Sequence, residues 1–169
     1  MKILVFGGSG KIGSAVAYDL AQDPEVERIG IVGRHRPTLN KVQAKVGSKK
    51  LVAHVLDINK KKDAISLMKK YDVGVCAMPD RKTSYKVLHY SIEAGLDSVD
   101  TLEEFHRTPD LLETEGLEIP KGLKLPAYGE WLHKKAVENG VTFVDGMGFA
   151  PGISNVTCGE GIRKLDVAE

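Results

Sequence analysis

Three glycines near the amino terminus have the spacing that a pyrophosphate-binding turn requires. Gly8, Gly10 and Gly13 follow an apolar run at residues 3–6, which has the length of a buried strand. Apolar side chains then recur at helical spacing, at Ile12, Ala15, Val16 and Leu20. In a strand-to-helix turn, Gly8 would make the tight turn, Gly10 would let the backbone approach the phosphates, and Gly13 would let the helix pack closely. The helix N-terminus attracts the anion, so the expected contacts are Gly8, Ser9, Gly10, Lys11, Ile12 and Gly13.

The end of the second apolar run indicates which dinucleotide this turn would bind. An acidic residue about 20 positions beyond the glycines would bind the 2′-hydroxyl of NAD. The chain instead reads Gly33-Arg34-His35-Arg36, without an acid. Glycine leaves space for the 2′-phosphate of NADP, and arginine supplies a planar pair of donors. We therefore expect NADP(H) to be preferred over NAD(H), with Arg34 as the main phosphate contact; Arg36 is either a second contact or a solvated surface residue.

Two further strand ends are expected to complete the cofactor cleft. Asp57 closes the third apolar run, where it would either meet the adenine edge or cap a helix or turn. Ala77, Met78 and Pro79 end the fourth run beside the expected cleft. Their backbone could line the pyrophosphate or the nicotinamide ribose.

These residues need a sheet with a common carboxyl edge to bring them together. The strands are predicted at residues 3–6, 28–32, 51–56, 73–77, 98–100 and 141–144, and the helices at residues 11–22, 37–46, 61–70, 83–94 and 127–139. This alternation predicts an α/β fold, a doubly wound parallel sheet of the Rossmann type, with helices on both faces. Right-handed crossovers put the carboxyl ends of the strands, and hence the cofactor, at one edge. A stretch at 102–126, punctuated by prolines and glycines, is expected to lie outside the sheet.

Charge and composition argue against several other classes of protein. The 169 residues carry 24 basic and 23 acidic side chains, so there is no global field to attract nucleic acid or a membrane surface. Cys76 and Cys158 are far apart in the sequence, which argues against a disulfide framework and a structural zinc site. The sequence has neither a leader pattern nor a membrane-spanning run. We expect a cytoplasmic protein that binds no metal, nucleic acid or membrane.

A second glycine-rich turn near the far end makes the chain similar to a known family. Gly148-Phe149-Ala150-Pro151-Gly152 follows the last predicted strand, and Pro151 suits the first position of a new helix. Together with the first glycine turn, Gly33-Arg34, Met78-Pro79 and Ser98-Val99-Asp100, it resembles the amino-terminal domain of the saccharopine dehydrogenase-like family. The resemblance covers nearly the whole chain apart from residues 102–126. At Ala150 the chain resembles the lysine 6-dehydrogenases of that family. At Gly33 it resembles the NADP-using saccharopine reductases.

The resemblance implies hydride transfer between a nicotinamide and a carbon that bears an amine or imine. It implies a dinucleotide-binding domain at residues 1–150 and, at residues 151–169, the first helix of a second α+β domain that is mostly absent. We expect this chain to be part of a longer dehydrogenase and to be inactive by itself. The alternatives are a stand-alone NADP(H) sensor and a structural domain. The substrate is open among amino acids and their imine adducts, and a homodimer is also left open. No catalytic residue is assigned, because capping explains the three polar candidates equally well: Asp100, Asp145 and Asn155.

Overall fold

Strands and helices alternate along the chain as the sequence predicts. The structure is a computed structural model that describes residues 1–101, 119–148 and 152–165. The strands are β1 (Lys2–Phe6), β2 (Arg28–Gly33), β3 (Leu51–Val55), β4 (Val73–Cys76), β5 (Asp97–Asp100) and β6 (Phe143–Val144). The helices are α1 (Lys11–Gln22), α2 (Arg36–Val46), α3 (Lys61–Met68), α4 (Arg81–Ala94), α5 (Tyr128–Asn139) and α6 (Ile153–Arg163). A short 3₁₀ turn, Leu125–Ala127, precedes α5.

The six strands form one parallel sheet in the order β3-β2-β1-β4-β5-β6. The chain runs outward from β1 to β3 and then returns to β4 on the other side of β1. This reversal is the topological switch point at which doubly wound sheets bind their ligands. The register pairs Phe6 with Val32 on one side and with Cys76 on the other, so β1, β2 and β4 end at nearly the same level. The predicted Rossmann fold is confirmed.

Both faces of β1 are buried, which explains its uninterrupted apolar sequence. Leu4 and Phe6 belong to a core beneath α3 and α4, which includes Ala64, Met68 and Val87. Ile3 and Val5 face the opposite way, into a core beneath α1 and α2, which includes Ala17, Leu39 and Val42. A third apolar cluster joins α4 to α5. These cores fix the helices whose first turns surround the carboxyl edge.

The predicted bounds of α1 are confirmed, and the other elements differ at their ends. α3 stops at Met68 instead of residue 70, since the amides of Lys70 and Tyr71 turn back to the carbonyls of Leu67 and Met68. α4 begins two residues before its predicted start, because Asp80 caps it. β6 has two residues instead of four.

Parts of the predicted carboxyl-terminal region lie outside the described residues. These are residues 102–118 of the expected excursion, residues 149–151 with the predicted helix-starting Pro151, and residues 166–169. The remainder of the excursion leads into the 3₁₀ turn before α5. Within the described ranges, no helix is long and apolar enough to cross a membrane.

Candidate nucleotide-binding site

A cleft of about 510 Å³ opens at the carboxyl edge of the sheet, around the switch point. This volume lies within the range of roughly 300–1,000 Å³ typical of ligand pockets. Nine residues predicted from the sequence line it: Ser9, Gly10, Lys11, Ile12, Arg34, Asp57, Ala77, Met78 and Pro79. Gly8, Gly13 and Arg36 are not in its lining. The cleft thus joins four chain segments that are far apart in the sequence.

The tight turn after β1 includes Gly8, which is consistent with its predicted role, and it also depends on Gly7, which was not singled out from the sequence. Gly7 has a φ of +72°, the left-handed region, and the amide of Gly10 donates to its carbonyl over 2.8 Å. A Cβ on Gly7 would also collide with the carbonyl of Ala77. Gly8 has no room for a side chain, because a Cβ on it would lie 2.7 Å from the Cβ of Ile31. Gly8 therefore lets the turn pack against β2, and its amide donates to the carbonyl of Val32 at 3.0 Å.

Gly10 and Gly13 place the N-terminus of α1 at the cleft. A Cβ on Gly13 would overlap the carbonyl of Gly7, so its predicted role in close packing agrees with the structure. Gly10 is the N-cap of α1, in extended conformation and without a side-chain cap. The first-turn amides of a helix have no acceptor within it. The N–H groups of Lys11, Ile12 and Gly13 can therefore bind an anion at this end of the helix.

The two candidate arginines take different positions. Arg34 lines the cleft directly after β2. Arg36 begins α2, and its Nη1 donates to the carbonyl of Ala53 at 3.1 Å. The structure therefore brings Arg34 into the cleft and engages Arg36 with β3, which favours the surface interpretation of Arg36.

The first turn and the end of β2 lie close together at Gly33. A Cβ on Gly33 would lie 3.1 Å from Oγ of Ser9 and 3.2 Å from Cδ2 of Leu39. The Ser9 hydroxyl thus lies beside the backbone of Gly33, and Arg34 follows immediately. These three residues line the cleft together and supply a hydroxyl, a residue without a side chain and a cation.

Asp57 both caps a turn and lines the cleft, so the two interpretations of this residue are compatible. Its Oδ1 accepts hydrogen bonds from the backbone N and from Nδ2 of Asn59, each at 3.0 Å. Asn59 Oδ1 in turn accepts from Nζ of Lys86 at 2.7 Å. Asn59 lines the cleft beside Asp57 and was not predicted from the sequence.

The N-terminus of α4 forms the opposite wall, and it also was not predicted as part of the site. Asp80 and Thr83 line the cleft. Oδ1 of Asp80 accepts from the amide of Thr83 at 2.8 Å, and the Thr83 hydroxyl also donates to this carboxylate. This helix start could have been predicted from the sequence, because Asp is a favoured N-cap and Asp80 lies three residues before Thr83.

The three polar candidates for the reacting centre do not line this cleft. Asp100 is fully buried at the end of β5. Asp145 lines a separate cleft of about 370 Å³ between α4, α5 and β6. Asn155 is exposed on α6, and its Oδ1 accepts from Oγ of Ser154 at 3.2 Å. In the described part of the chain, no group of three metal-ligating side chains occurs either.

Cys76 is buried beside Asp100 and is held as a thiol. Burial, followed by the charge of the Asp100 carboxylate and a hydrogen bond to it, raises the pKa of Cys76 well above its usual value. Its Sγ lies 3.5 Å from Oγ of Ser84 on α4. This polar contact links the end of β4 to the helix that borders the cleft, so Cys76 has a structural role here.

Several solved structures have a similar fold. A saccharopine dehydrogenase (L-Glu forming) from Saccharomyces cerevisiae superposes with a TM-score of 0.68 at 19% identity, over 97% of this chain and 31% of that one. Pen from Bacillus thuringiensis gives 0.60 at 16% identity, over 85% and 48%. A UDP-glucuronic acid 4-epimerase from Bacillus cereus, in complex with NAD, gives 0.54 at 19% identity, over 86% and 55%. This chain thus spans about a third to a half of these proteins, and at such identities the likeness shows the fold.

The sequence itself matches a family model. The family is described as the saccharopine dehydrogenase NADP binding domain, and the match covers residues 3–144. This range runs from β1 to the end of β6 and includes the glycine turn, Arg34 and both walls of the cleft. The chain therefore belongs to the saccharopine dehydrogenase NADP-binding domain family.

Proposed function

We propose that this chain binds NADP(H), in preference to NAD(H), for an oxidoreductase that acts on an amino acid or its imine adduct. The main support for this proposal is the set of residues that the cleft brings together. The cleft joins the uncapped N-terminus of α1 to a β2 end that has Gly33 and Arg34 but no acid. Membership of an NADP-binding family supports the same cofactor.

Each part of the cleft suits a different part of NADP(H). The first-turn amides of α1 would hold the pyrophosphate, and Arg34 with the Ser9 hydroxyl would hold the 2′-phosphate. Asp57 would meet the adenine, and the segment from Ala77 to Pro79 would border the nicotinamide ribose. When bound, the cofactor supplies or accepts the hydride, while the chain orients it.

The preference for NADP(H) rests on charge at the end of β2. An acid at position 33 would repel a 2′-phosphate, whereas Arg34 can donate charge-assisted hydrogen bonds. Such bonds contribute about 1.5–3 kcal/mol, which corresponds to roughly a tenfold to 150-fold effect on affinity. Since Arg36 already donates to the carbonyl of Ala53, we assign this discrimination to Arg34.

The acid–base chemistry is proposed to come from outside the described residues. Asp100, Asp145 and Asn155 do not line the nucleotide cleft, and this chain spans 31% of the length of the yeast saccharopine dehydrogenase. We propose that residues 151–169 begin a substrate domain and that a small amino-acid-like molecule binds between it and the nicotinamide. Cytoplasmic location belongs to the same proposal.

Nucleotide titration tests the proposal. We expect NADPH to raise the thermal stability of the chain, by about 2.7 kcal/mol at 100 times its dissociation constant, and NADH to act only at higher concentration. Arg34→Gln should weaken NADPH by about tenfold or more and leave NADH nearly unchanged. Equal losses for both nucleotides would contradict the role of Arg34. Absence of any shift with either nucleotide would contradict the proposed function.

A further inference from the structure

A hydrogen-bonded chain of three side chains joins the two walls of the cleft at one end. Nζ of Lys86 donates to Oδ1 of Asn59 at 2.7 Å, and Nδ2 of Asn59 donates to Oδ1 of Asp57 at 3.0 Å. Asp57 and Asn59 belong to the turn between β3 and α3, whereas Lys86 is on α4. The bond from Lys86 therefore connects segments that are 27 residues apart.

Lys86 is close to the cleft but is not part of its lining. Thr83, which does line the cleft, lies three residues earlier on α4, and residues at this spacing share one helix face. Lys86 is half-buried, and its amine reaches the β3–α3 turn through the hydrogen bond to Asn59. It can therefore act on a bound nucleotide through Asn59 and Asp57.

The Lys86 amine determines which way the Asn59 amide faces. A lysine amine only donates hydrogen bonds, so Asn59 must present its oxygen to Lys86 and its nitrogen to Asp57. The backbone amide of Asn59 also donates to Oδ1 of Asp57 at 3.0 Å. Both contacts use the same oxygen, which orients the carboxylate and leaves Oδ2 as its acceptor for a donor in the cleft.

We propose that Lys86 is a positioning residue that, through Asn59, holds Asp57 so that its Oδ2 accepts a hydrogen bond from the 6-amino group of adenine. This inference rests on the proposed NADP(H) function. A purine with a 6-oxo group would present an acceptor to the carboxylate and would be disfavoured. Lys86 thus contributes to the choice of base without contacting the base.

The test compares NADPH with its hypoxanthine counterpart, in which a 6-oxo group replaces the 6-amino group. Dissociation constants for both are measured with the unmodified chain and with Lys86→Met, Lys86→Arg and Lys62→Met. Lys62 is the matched control, because it is exposed in the first turn of α3 and carries the same charge. Circular dichroism and thermal unfolding show whether each variant is folded.

We expect the unmodified chain to bind NADPH at least about tenfold more tightly than the hypoxanthine analogue. Lys86→Met should reduce this ratio by about twofold to tenfold, the effect of one neutral hydrogen bond. Lys86→Arg keeps a donor and should preserve the ratio, as should Lys62→Met. A folded Lys86→Met variant with an unchanged ratio, or with equal losses for both nucleotides, overturns the inference.

The outcomes also separate this inference from the proposed function. If the unmodified chain binds both nucleotides equally well, NADP(H) binding stands and the role of Asp57 and Lys86 in base selection is overturned. If it binds neither nucleotide, the proposed function fails, and the inference fails with it.

Discussion

A side chain on Gly13 would collide with the carbonyl oxygen of Gly7, so helix α1 and the turn after β1 touch through their backbones. Gly7 presents this carbonyl because it adopts a φ of +72°. The same carbonyl accepts the amide of Gly10, at 2.8 Å. The contact brings the first-turn amides of α1 to the end of β1, where the cleft opens.

Gly13→Ala should therefore destabilise the fold. The new methyl group meets backbone atoms of Gly7 and Gly8, which cannot rotate away, so α1 must shift. Overpacking of this kind typically costs about 1–3 kcal/mol. Urea unfolding without nucleotide measures the loss.

Gly10→Ala is the matched variant for this prediction. A Cβ at Gly10 lies 3.2 Å from the carbonyl of Gly7, a tighter contact than usual but without overlap. We expect a smaller loss of stability than in Gly13→Ala but weaker NADPH binding, since the methyl group is added in the cleft lining. If the two variants are equally stable, the contact between Gly7 and Gly13 does not limit the packing of α1.

The sheet could be predicted from the sequence because the apolar pattern of the strands agrees with the number of helices available to cover them. The apolar run at residues 3–6 needs two covered faces, and α1, α2, α3 and α4 supply them. The glycine turn was more ambiguous, because Gly7, Gly10 and Gly13 are also regularly spaced. The structure shows that Gly7 is also needed for the turn, because its φ is positive, and that Gly8 also packs against Ile31.

Other parts of the site depend on contacts between distant segments, which spacing along the chain does not reveal. Arg36 is two residues from Arg34, yet its guanidinium reaches the carbonyl of Ala53. Lys86 and Asn59 meet only because α3 and α4 pack side by side. Asp100, one of the three polar candidates for the reacting centre, is buried at the end of β5, and spacing along the chain does not show this burial.

Gly33→Asp should shift the cofactor preference towards NAD(H). Its Cβ would meet only the side-chain atoms of Ser9 and Leu39, at 3.1 and 3.2 Å, so the fold can accommodate it with small movements. The carboxylate would repel a 2′-phosphate and could accept the 2′-hydroxyl of NAD. We expect the NADPH-to-NADH affinity ratio to fall by at least about tenfold.

Gly33→Ala separates charge from space in this experiment. It introduces the same Cβ without a carboxylate, so it should lower the ratio much less. Nucleotide titration by fluorescence gives both affinities. If Ala and Asp lower the ratio equally, crowding rather than charge determines the preference.

Arg36→Ala should change stability more clearly than it changes cofactor binding. It removes the donor to the carbonyl of Ala53, a hydrogen bond whose net contribution is about 0.5–1.5 kcal/mol. Because Arg36 does not line the cleft, we expect the NADPH dissociation constant to change by less than about twofold. A tenfold loss that affects NADPH and spares NADH would show that Arg36 turns to the 2′-phosphate after all.

His54 should make the fold less stable in acid. Burial, followed by the charges of Lys70, Arg36 and Arg28, lowers the pKa of His54 in the folded chain. An unfolded chain has a histidine pKa of about 6.5, so below this pH the unfolded state binds the proton first and unfolding becomes easier. The neutral ring also lies beside Tyr71, with Nε2 2.6 Å from its hydroxyl.

His54→Gln removes this titration and should flatten the pH dependence. We expect the variant to lose less stability than the unmodified chain between pH 7 and pH 5, although it is less stable at pH 7 because the contact with Tyr71 is lost. Urea unfolding at the two pH values gives the comparison, and His35→Gln, an exposed site, serves as the control. Parallel losses of stability in His54→Gln and the unmodified chain would mean that protonation of His54 does not oppose folding.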